Sequence, residues 1–196
     1  KEKADSTVII VAGIDAKGFI YILDVRSGRI GSMDIIDELL SVQQRYSPEV
    51  FTFETEKIDK AIGPFLDVAM REGTETKPAG LFINIHKVTP SKSKTVRGKS
   101  IQAMMKSGSV RFDKEADWYP AFEMEMETIT NAGPKGKHDD QFDAFAYIGL
   151  TVHKFNEGPI LYFVAKLVRF SFVGFSAPWT ERYKSKISGC VHFLLL

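Results

Sequence analysis

The most constraining stretch of this 196-residue sequence is Gly136–Leu150, in which three carboxylates precede a continuous apolar run. Asp139, Asp140 and Asp143 come first, and the apolar residues after them contain no helix breaker before Gly149. This pattern predicts a helix with an acidic first turn and a buried body. One acid complements the helix dipole, whereas three crowded carboxylates repel one another unless a cation lies between them. Hard divalent cations prefer carboxylate oxygens, so the stretch predicts either an acidic helix cap or a metal site.

The composition allows one globular domain with a substantial core, since 44% of the residues are hydrophobic and 26% are charged. The formal net charge is +1, so overall charge identifies no class of partner. The single cysteine, Cys190, excludes an internal disulfide and favours a reducing compartment. The polar start KEKADSTV is not a secretory signal, and Lys166 and Arg169 interrupt the longest apolar stretch. We therefore expect no signal and no transmembrane segment.

The first half of the chain alternates between strand and helix patterns. Thr7–Ile14 and Phe19–Val25 are apolar runs joined by the turn signal Asp15–Gly18, which predicts a β-hairpin. The order of elements predicts an α/β domain with a mixed sheet. The further predicted elements are helices at Ile35–Tyr46 and Ile58–Glu72 and strands at Val50–Phe53 and Leu81–Val88.

From His86 to Lys114 the sequence is basic, with eight lysine or arginine residues against the single acid Asp113. Interspersed glycine and serine predict a mobile loop in the first half of this segment. Such a run is either a solvated face or a phosphate-contacting arm, because lysine and arginine follow a polyanion backbone without reading bases. Glu123–Ile129 then predicts a short acidic helix with a structural role, and Asn131–Lys137 predicts a flexible loop.

The end of the chain differs in character from the rest. Aromatic residues occur there with neither the period of a strand nor that of a helix, and the sequence finishes with the bare apolar run CVHFLLL. We therefore predict a domain over residues 1–155 and an atypical hydrophobic tail over residues 156–196, outside the normal domain. The tail is an out-of-frame or foreign extension, or a segment that needs a partner surface.

Glu54 directly follows the buried strand pattern VFTF, and the C-terminal end of a strand is a common place for a catalytic group in α/β folds. The alternatives are Glu56 on the same face, or a strand end that faces solvent. Four stretches together resemble the RNase H-like nuclease domain of the large terminase subunit of tailed bacteriophages. The resemblance covers residues 4–152 and rests on ADSTVIIVAGIDAKGFIYILDVRSGR, VFTFETEKIDKAIGPFL, KSKTVRGKSIQAMMKSGSVRF and GKHDDQFDAFAY.

The resemblance implies an RNase H-like mixed sheet flanked by helices, and a metal-dependent endonuclease that cuts double-stranded DNA concatemers. It implies two Mg²⁺ or Mn²⁺ ions, one activating water and the other stabilising the leaving oxygen. Glu54 matches the family's glutamate, either Asp139 or Asp140 matches the aspartate of the last motif, and Asp143 is a further ligand or supporting group. The basic segment and its surroundings imply DNA contacts by Lys92, Lys94, Arg97, Lys99 and His138.

This sequence departs from the family pattern at its start. The family's first-strand aspartate precedes the match to Asp5, so we expect a truncated fragment that lacks part of the first strand, with Asp5 assisting the metals. Asp15 is an alternative first-strand aspartate, as in resolvases or transposases of the same fold, although DAKG between two apolar runs favours a turn. We also expect the ATPase half to be absent, because no Gly-rich phosphate loop of the form Gly-x-x-x-x-Gly-Lys-Ser/Thr occurs.

The resemblance also implies partners and a location. The partners are double-stranded DNA, the ATPase domain of the same terminase, the portal and the small terminase subunit, with no membrane. The location is the host cell cytoplasm during phage assembly. Three hypotheses compete with a terminase endonuclease: a resolvase or transposase that uses Asp15, a catalytically inactive DNA-binding or assembly module, and an α/β domain whose acidic helix start is only a cap.

Overall fold

The fold begins with the expected hairpin, formed by β1 (Thr7–Ile14) and β2 (Ile20–Gly28). The two strands pair antiparallel. Asp15 closes the turn, because its carboxylate accepts hydrogen bonds from the amides of Lys17 and Phe19, both at 2.9 Å. The hairpin prediction is therefore confirmed. The computed structural model describes residues 6–54, 62–89, 94–130, 133–134, 139–156 and 191–195.

The described residues contain five helices and six further strands. The helices are α1 (Ser32–Tyr46), α2 (Gly63–Glu72), α3 (Lys94–Lys106), α4 (Tyr119–Glu127) and α5 (Asp140–Asn156). The strands are β3 (Val50–Glu54), β4 (Ile85–Val88), β5 (Val110–Phe112), β6 (Ile129–Thr130), β7 (Gly133–Pro134) and β8 (Val191–Leu195).

The main sheet is mixed and has the strand order β4-β3-β8-β1-β2-β5, while β6 and β7 form a separate pair. Strand β8 pairs antiparallel with β1 and parallel with β3. Five residues of the predicted tail therefore lie in the middle of the sheet, between its first strand and the strand that carries Glu54. Residues 157–190 lie outside the described part of the chain, so the domain boundary at residue 155 stays a prediction.

Successive apolar side chains of the central strands point to opposite faces of the sheet, so both faces are apolar and both are covered by helices. On β1, Ile10 and Ala12 belong to the core shared with α3, α4 and α5. Ile9 and Val11 belong to the opposite core, shared with α1 and α2. All four side chains are fully buried. The predicted mixed α/β sheet flanked by helices is confirmed.

The prediction of a mobile loop in the first half of the basic segment is wrong, because residues 94–106 form α3. Gly98, which suggested a loop, lies inside the helix and allows close contact with α5. A Cβ atom at Gly98 would lie 2.4 Å from Cζ of Phe142. Ile101, one turn later, is 1% exposed in the same interface. Packing against a distant helix therefore overrides the weak local preference of glycine.

Several element boundaries also differ from the predictions. The strand expected at 81–88 covers only Ile85–Val88, and the acidic helix runs from Tyr119 to Glu127. Pro120 fits in the first turn of that helix, because an amide there has no acceptor within the helix and the missing N–H of proline costs no hydrogen bond. Strand β5 was not predicted, because a strand of three residues is too short to show the alternation of apolar and polar residues that identifies a strand. In the predicted loop 131–137, Gly133–Pro134 form β7, and the other residues of this loop lie outside the described part of the chain. Residues 58–61, the start of the second predicted helix, also lie outside it.

Candidate active site

Glu54 is the last residue of β3 and is partly buried. Side chains alternate along a strand, so Glu54 shares a face with Thr52 and Val50. Val50 packs in the core beneath α5, whereas Phe51 and Phe53 pack in the opposite core. The strand therefore directs the Glu54 carboxylate toward the side of the sheet that α5 covers.

Arg97 joins α3 to the first turn of α5. Its Nη2 donates a hydrogen bond to Oδ1 of Asp143. The guanidinium carbon also lies 5.1 Å from the ring centroid of Tyr147, one turn further along α5. Only 6% of Arg97 is exposed, so both interactions occur in a largely desolvated position, where each is stronger than at the surface.

The charge of Glu54 acts on the same groups. Burial by itself would lower the pKa of Arg97, but the hydrogen bond and charge of Asp143, with Tyr147 and Glu54, raise this pKa overall. Burial raises the pKa of Tyr147 to about 12, and the charges of Glu54 and Asp143 add to this shift while Arg97 opposes it. We call these four residues, Glu54, Arg97, Asp143 and Tyr147, the acid–arginine cluster.

Two buried hydroxyl groups lie on the same side of the sheet without a hydrogen-bond partner among the described residues. They are Oη of Tyr147, whose residue is 5% exposed, and Oγ1 of Thr52, whose residue is 1% exposed. Leaving a buried hydroxyl unsatisfied costs about 1–3 kcal/mol, so such groups in a native structure call for a partner such as water or an ion. Thr52 lies two residues before Glu54 on the same face of β3, and Tyr147 lies one turn after Asp143 on α5, so a polar ligand bound here would satisfy both hydroxyls.

A residue from another helix caps the start of α5. The amide of Phe142 donates to Oε1 of Glu125 at 2.8 Å, and the side chain of Gln141 donates to Oε2 at 2.9 Å. Glu125 thus places a negative charge at the positive end of the α5 dipole. Capping is therefore already supplied by Glu125, and Asp143 is engaged by Arg97 instead. Asp143 is therefore held by an arginine of α3 rather than by the amides of its own helix, so this carboxylate is not only a helix cap.

As the side chains stand, the cluster does not fit a divalent metal centre. Within the described part of the chain, no three Asp, Glu, His or Cys side chains are grouped so that they could hold a metal ion. The positive charge beside Asp143 is the guanidinium of Arg97. A shared metal for Glu54, Asp139, Asp140 and Asp143 therefore stays a prediction. Asp5 and His138, which were also predicted, lie outside the described residues.

The predicted DNA-binding residues differ in their surroundings. Arg97 is buried and bound to Asp143, whereas Lys99 is exposed on α3. Lys99 also lines a cleft of ≈ 380 Å³ between α3, α4, β6 and the start of α5. Lys94 is the first residue of α3, but its side chain is outside the described part, as is all of Lys92. DNA contact by these residues stays a prediction.

Asp15 lies at the opposite end of the sheet from Glu54, measured along the strands. Ile10 of β1 pairs with Leu195 of β8, which pairs with Thr52 of β3. Because β1 and β3 run in opposite directions, five residues of β1 and two of β3 separate the two acids. At ~3.3 Å per residue, this separation is about 23 Å along the strands. Asp15 therefore belongs to the turn and does not share a site with Glu54.

The involvement of Tyr147 and the pairing of Arg97 with Asp143 were not predicted from the sequence. A signal for Tyr147 was present, since Asp143 and Tyr147 are spaced i, i+4 and share one helix face. No local signal distinguished Arg97 from Lys99, two residues away on the same helix. The contact between Arg97 and Asp143 joins residues 46 positions apart in the chain.

Comparisons with known proteins give one finding. A family model described as a terminase RNaseH-like domain matches residues 1–150. The match confirms the resemblance and the RNase H-like fold class inferred from the sequence. Searches among curated proteins and among solved structures each found no significant match. No helix in the described ranges is long and apolar enough to span a membrane.

Proposed function

Because this chain belongs to the family of terminase RNaseH-like domains, we propose that it is the metal-dependent endonuclease domain of a phage DNA-packaging terminase large subunit. Membership supports a nuclease-type domain that acts with DNA and with other terminase components. The finer proposal is hydrolysis of phosphodiester bonds in double-stranded concatemeric DNA during genome packaging. The proposed partners are the ATPase domain of the same terminase, the portal and the small terminase subunit, in the host cell cytoplasm.

One observation carries this proposal. Glu54 at the end of β3 and Asp143 in the first turn of α5 act on the same two groups, Arg97 and Tyr147. Residues about 90 positions apart are thus brought together at one end of the sheet, as expected for a site assembled from separate elements. The unsatisfied hydroxyls of Tyr147 and Thr52 support a polar ligand at this position.

We assign roles to the chain's own residues as follows. Glu54, Asp139, Asp140 and Asp143 are the carboxylates proposed to bind Mg²⁺ or Mn²⁺, after the side chains rearrange from the described arrangement. When bound, such ions activate water and stabilise the leaving oxygen. Lys99 is proposed to contact DNA phosphate, together with the other basic residues of its segment, Lys92, Lys94 and Arg97, and with His138.

Cleavage of supercoiled plasmid DNA in Mn²⁺ tests this function. The chain should nick or linearise the plasmid, and Glu54→Gln should abolish this activity. Asp67→Asn is a matched control, since Asp67 is exposed on α2 and the substitution likewise removes one negative charge. Asp15→Asn should retain cleavage. Loss of cleavage in Asp15→Asn but not in Glu54→Gln would instead favour a resolvase or transposase site.

A second function is favoured by the engagement of Asp143 with Arg97 and by the lack of a three-ligand group among the described residues. In this alternative the chain is a catalytically inactive DNA-binding or assembly module. It predicts DNA retention that weakens as salt rises, because phosphate contacts release counter-ions. It also predicts no nicking in Mn²⁺ and no change of melting temperature when Mn²⁺ is added.

A further inference from the structure

Arg97 is the cation paired with Asp143, one of the carboxylates proposed above to bind a metal. Its side chain is 8% exposed, and its guanidinium donates to Asp143 and lies over the ring of Tyr147. Glu54 adds a second negative charge to the same surroundings. A planar guanidinium suits this position better than an ammonium group, because it forms directed hydrogen bonds and stacks on an aromatic face.

The charges of the cluster explain why a cation is present there. Glu54 and Asp143 both act on Arg97 and Tyr147, and two carboxylates that share partly desolvated surroundings destabilise each other unless a cation compensates them. Arg97 supplies one positive charge from within the chain. A divalent ion would supply two, but it would be repelled by the guanidinium while Arg97 remains bound to Asp143.

We propose that Arg97 is an internal counter-ion that competes with the divalent metal for Asp143, so that a metal binds only when Arg97 releases this carboxylate. This inference rests on the proposed function, because it presumes that Glu54 and Asp143 are metal ligands. Arg97 then acts through Asp143 as a positioning residue. The released guanidinium is left beside the metal site, where a phosphate of the nucleic acid is a suitable new partner.

The competition between Arg97 and the metal should lower the apparent affinity for Mn²⁺ by a measurable factor. A ligand that binds only a minor conformation loses apparent affinity in proportion to the population of that conformation. If Arg97 is released in about one molecule in ten, Mn²⁺ binding is weakened about tenfold. Replacing Arg97 by an uncharged residue removes the competitor and should strengthen Mn²⁺ binding by about this factor or more.

Isothermal titration of the chain with MnCl₂ tests the proposal on wild type, Arg97→Gln and Arg26→Gln. Arg26 is the matched control, because it bridges Asp24 and Glu38 at 3.0 and 2.5 Å on the opposite face of the sheet. Arg97→Gln should bind Mn²⁺ about tenfold more tightly than wild type, whereas Arg26→Gln should bind as wild type does. A purely structural Arg97 would give the opposite sign, since its loss would disorder the site and weaken binding.

A second measurement uses the wild-type chain, in case Arg97→Gln does not fold. In a titration with Mg²⁺ followed by NMR, the side-chain N–H signals of Arg97 should shift as the bond to Asp143 is released, while those of Arg26 stay constant. Mg²⁺ saturation without a shift of Arg97 would overturn the inference, as would equal or weaker Mn²⁺ binding by Arg97→Gln. Both outcomes would leave the proposed function standing, whereas absence of metal binding in every variant would overturn both.

Discussion

The close contact between α3 and α5 holds Arg97 against Asp143, and a glycine on each helix makes the contact possible. A Cβ atom at Gly149 would lie 2.6 Å from the backbone nitrogen of Ile101 and 3.0 Å from its Cα. Ser100 adds a hydrogen bond from its Oγ to the carbonyl of Gly149 at 2.7 Å. We therefore predict that Gly149→Ala destabilises the chain by forcing the two helices apart.

The expected magnitude follows from two opposing effects. Overpacking a close contact costs about 1–3 kcal/mol, and the upper half of this range applies because the obstructing atoms of Ile101 are backbone. Alanine in place of glycine inside a helix raises the free energy of unfolding by about 1 kcal/mol, because alanine has the higher helix propensity. The net loss for Gly149→Ala is therefore about 1–2 kcal/mol, which lowers the melting temperature of a chain of this size by about 2–8 °C.

Gly98→Ala provides a graded comparison on the facing helix. The nearest atom to its added Cβ is Cζ of Phe142 at 2.4 Å, which is the far end of a side chain. Gly98 and Phe142 both line the ≈ 380 Å³ cleft, so the ring has space into which it can move. We expect this substitution to cost less than Gly149→Ala, with a net effect near zero once the gain in helix propensity is included.

Urea unfolding followed by circular dichroism measures all three effects, with Gly28→Ala as the control. The nearest atom to a Cβ at Gly28 is Cγ1 of Ile30 at 4.0 Å, so we expect a change within about 0.5 kcal/mol. The predicted order of stability loss places Gly149→Ala well above the other two. Wild-type stability of Gly149→Ala, or a greater loss in Gly98→Ala, would refute the reasoning.

Three further predictions concern other parts of the fold. Glu125→Ala should cost about 1 kcal/mol in urea unfolding, because it leaves the amide of Phe142 at the start of α5 without its acceptor; unchanged stability would contradict the capping role. Burial, with the charge of Asp24, raises the pKa of Tyr46 to about 12, above the value of about 10 expected in the unfolded chain. Its contribution to stability is therefore complete below pH 10 and lost as the pH rises through 12, so Tyr46→Phe should lose less stability than wild type across this range; parallel pH profiles would refute this. Phe193→Pro removes a donor from the middle of the sheet and should cost about 3 kcal/mol or more, whereas a wild-type denaturation midpoint would show that β8 does not stabilise the sheet.

The sequence predicted elements whose signals are local. The β-branched run of β1 and the turn at Asp15 predict the hairpin, since both depend on neighbouring residues only. The acid-led apolar run likewise predicts α5, because a helical period with a buried face repeats over several turns. Glu54 was found from its place at the end of an apolar strand, where the fold class favours functional residues.

What the sequence could not predict depends on contacts between distant segments. Gly98 suggests a loop when considered locally, and its place inside α3 makes sense only with Phe142 packed against it. The engagement of Asp143 by Arg97 is likewise a long-range contact. The place of β8 between β1 and β3 also could not be read from an apolar run with no period, because strand pairing is decided by the partner strands.

The central claim is that Glu54 and Asp143 serve one metal-binding nuclease site. The most direct measurement is a count of bound Mn²⁺ ions by electron paramagnetic resonance, for wild type and for the double variant Glu54→Gln/Asp143→Asn. Circular dichroism establishes that the variant is folded. We predict saturable Mn²⁺ binding by wild type and its loss in the double variant. A folded double variant that binds as many Mn²⁺ ions as wild type, with equal affinity, would contradict this claim.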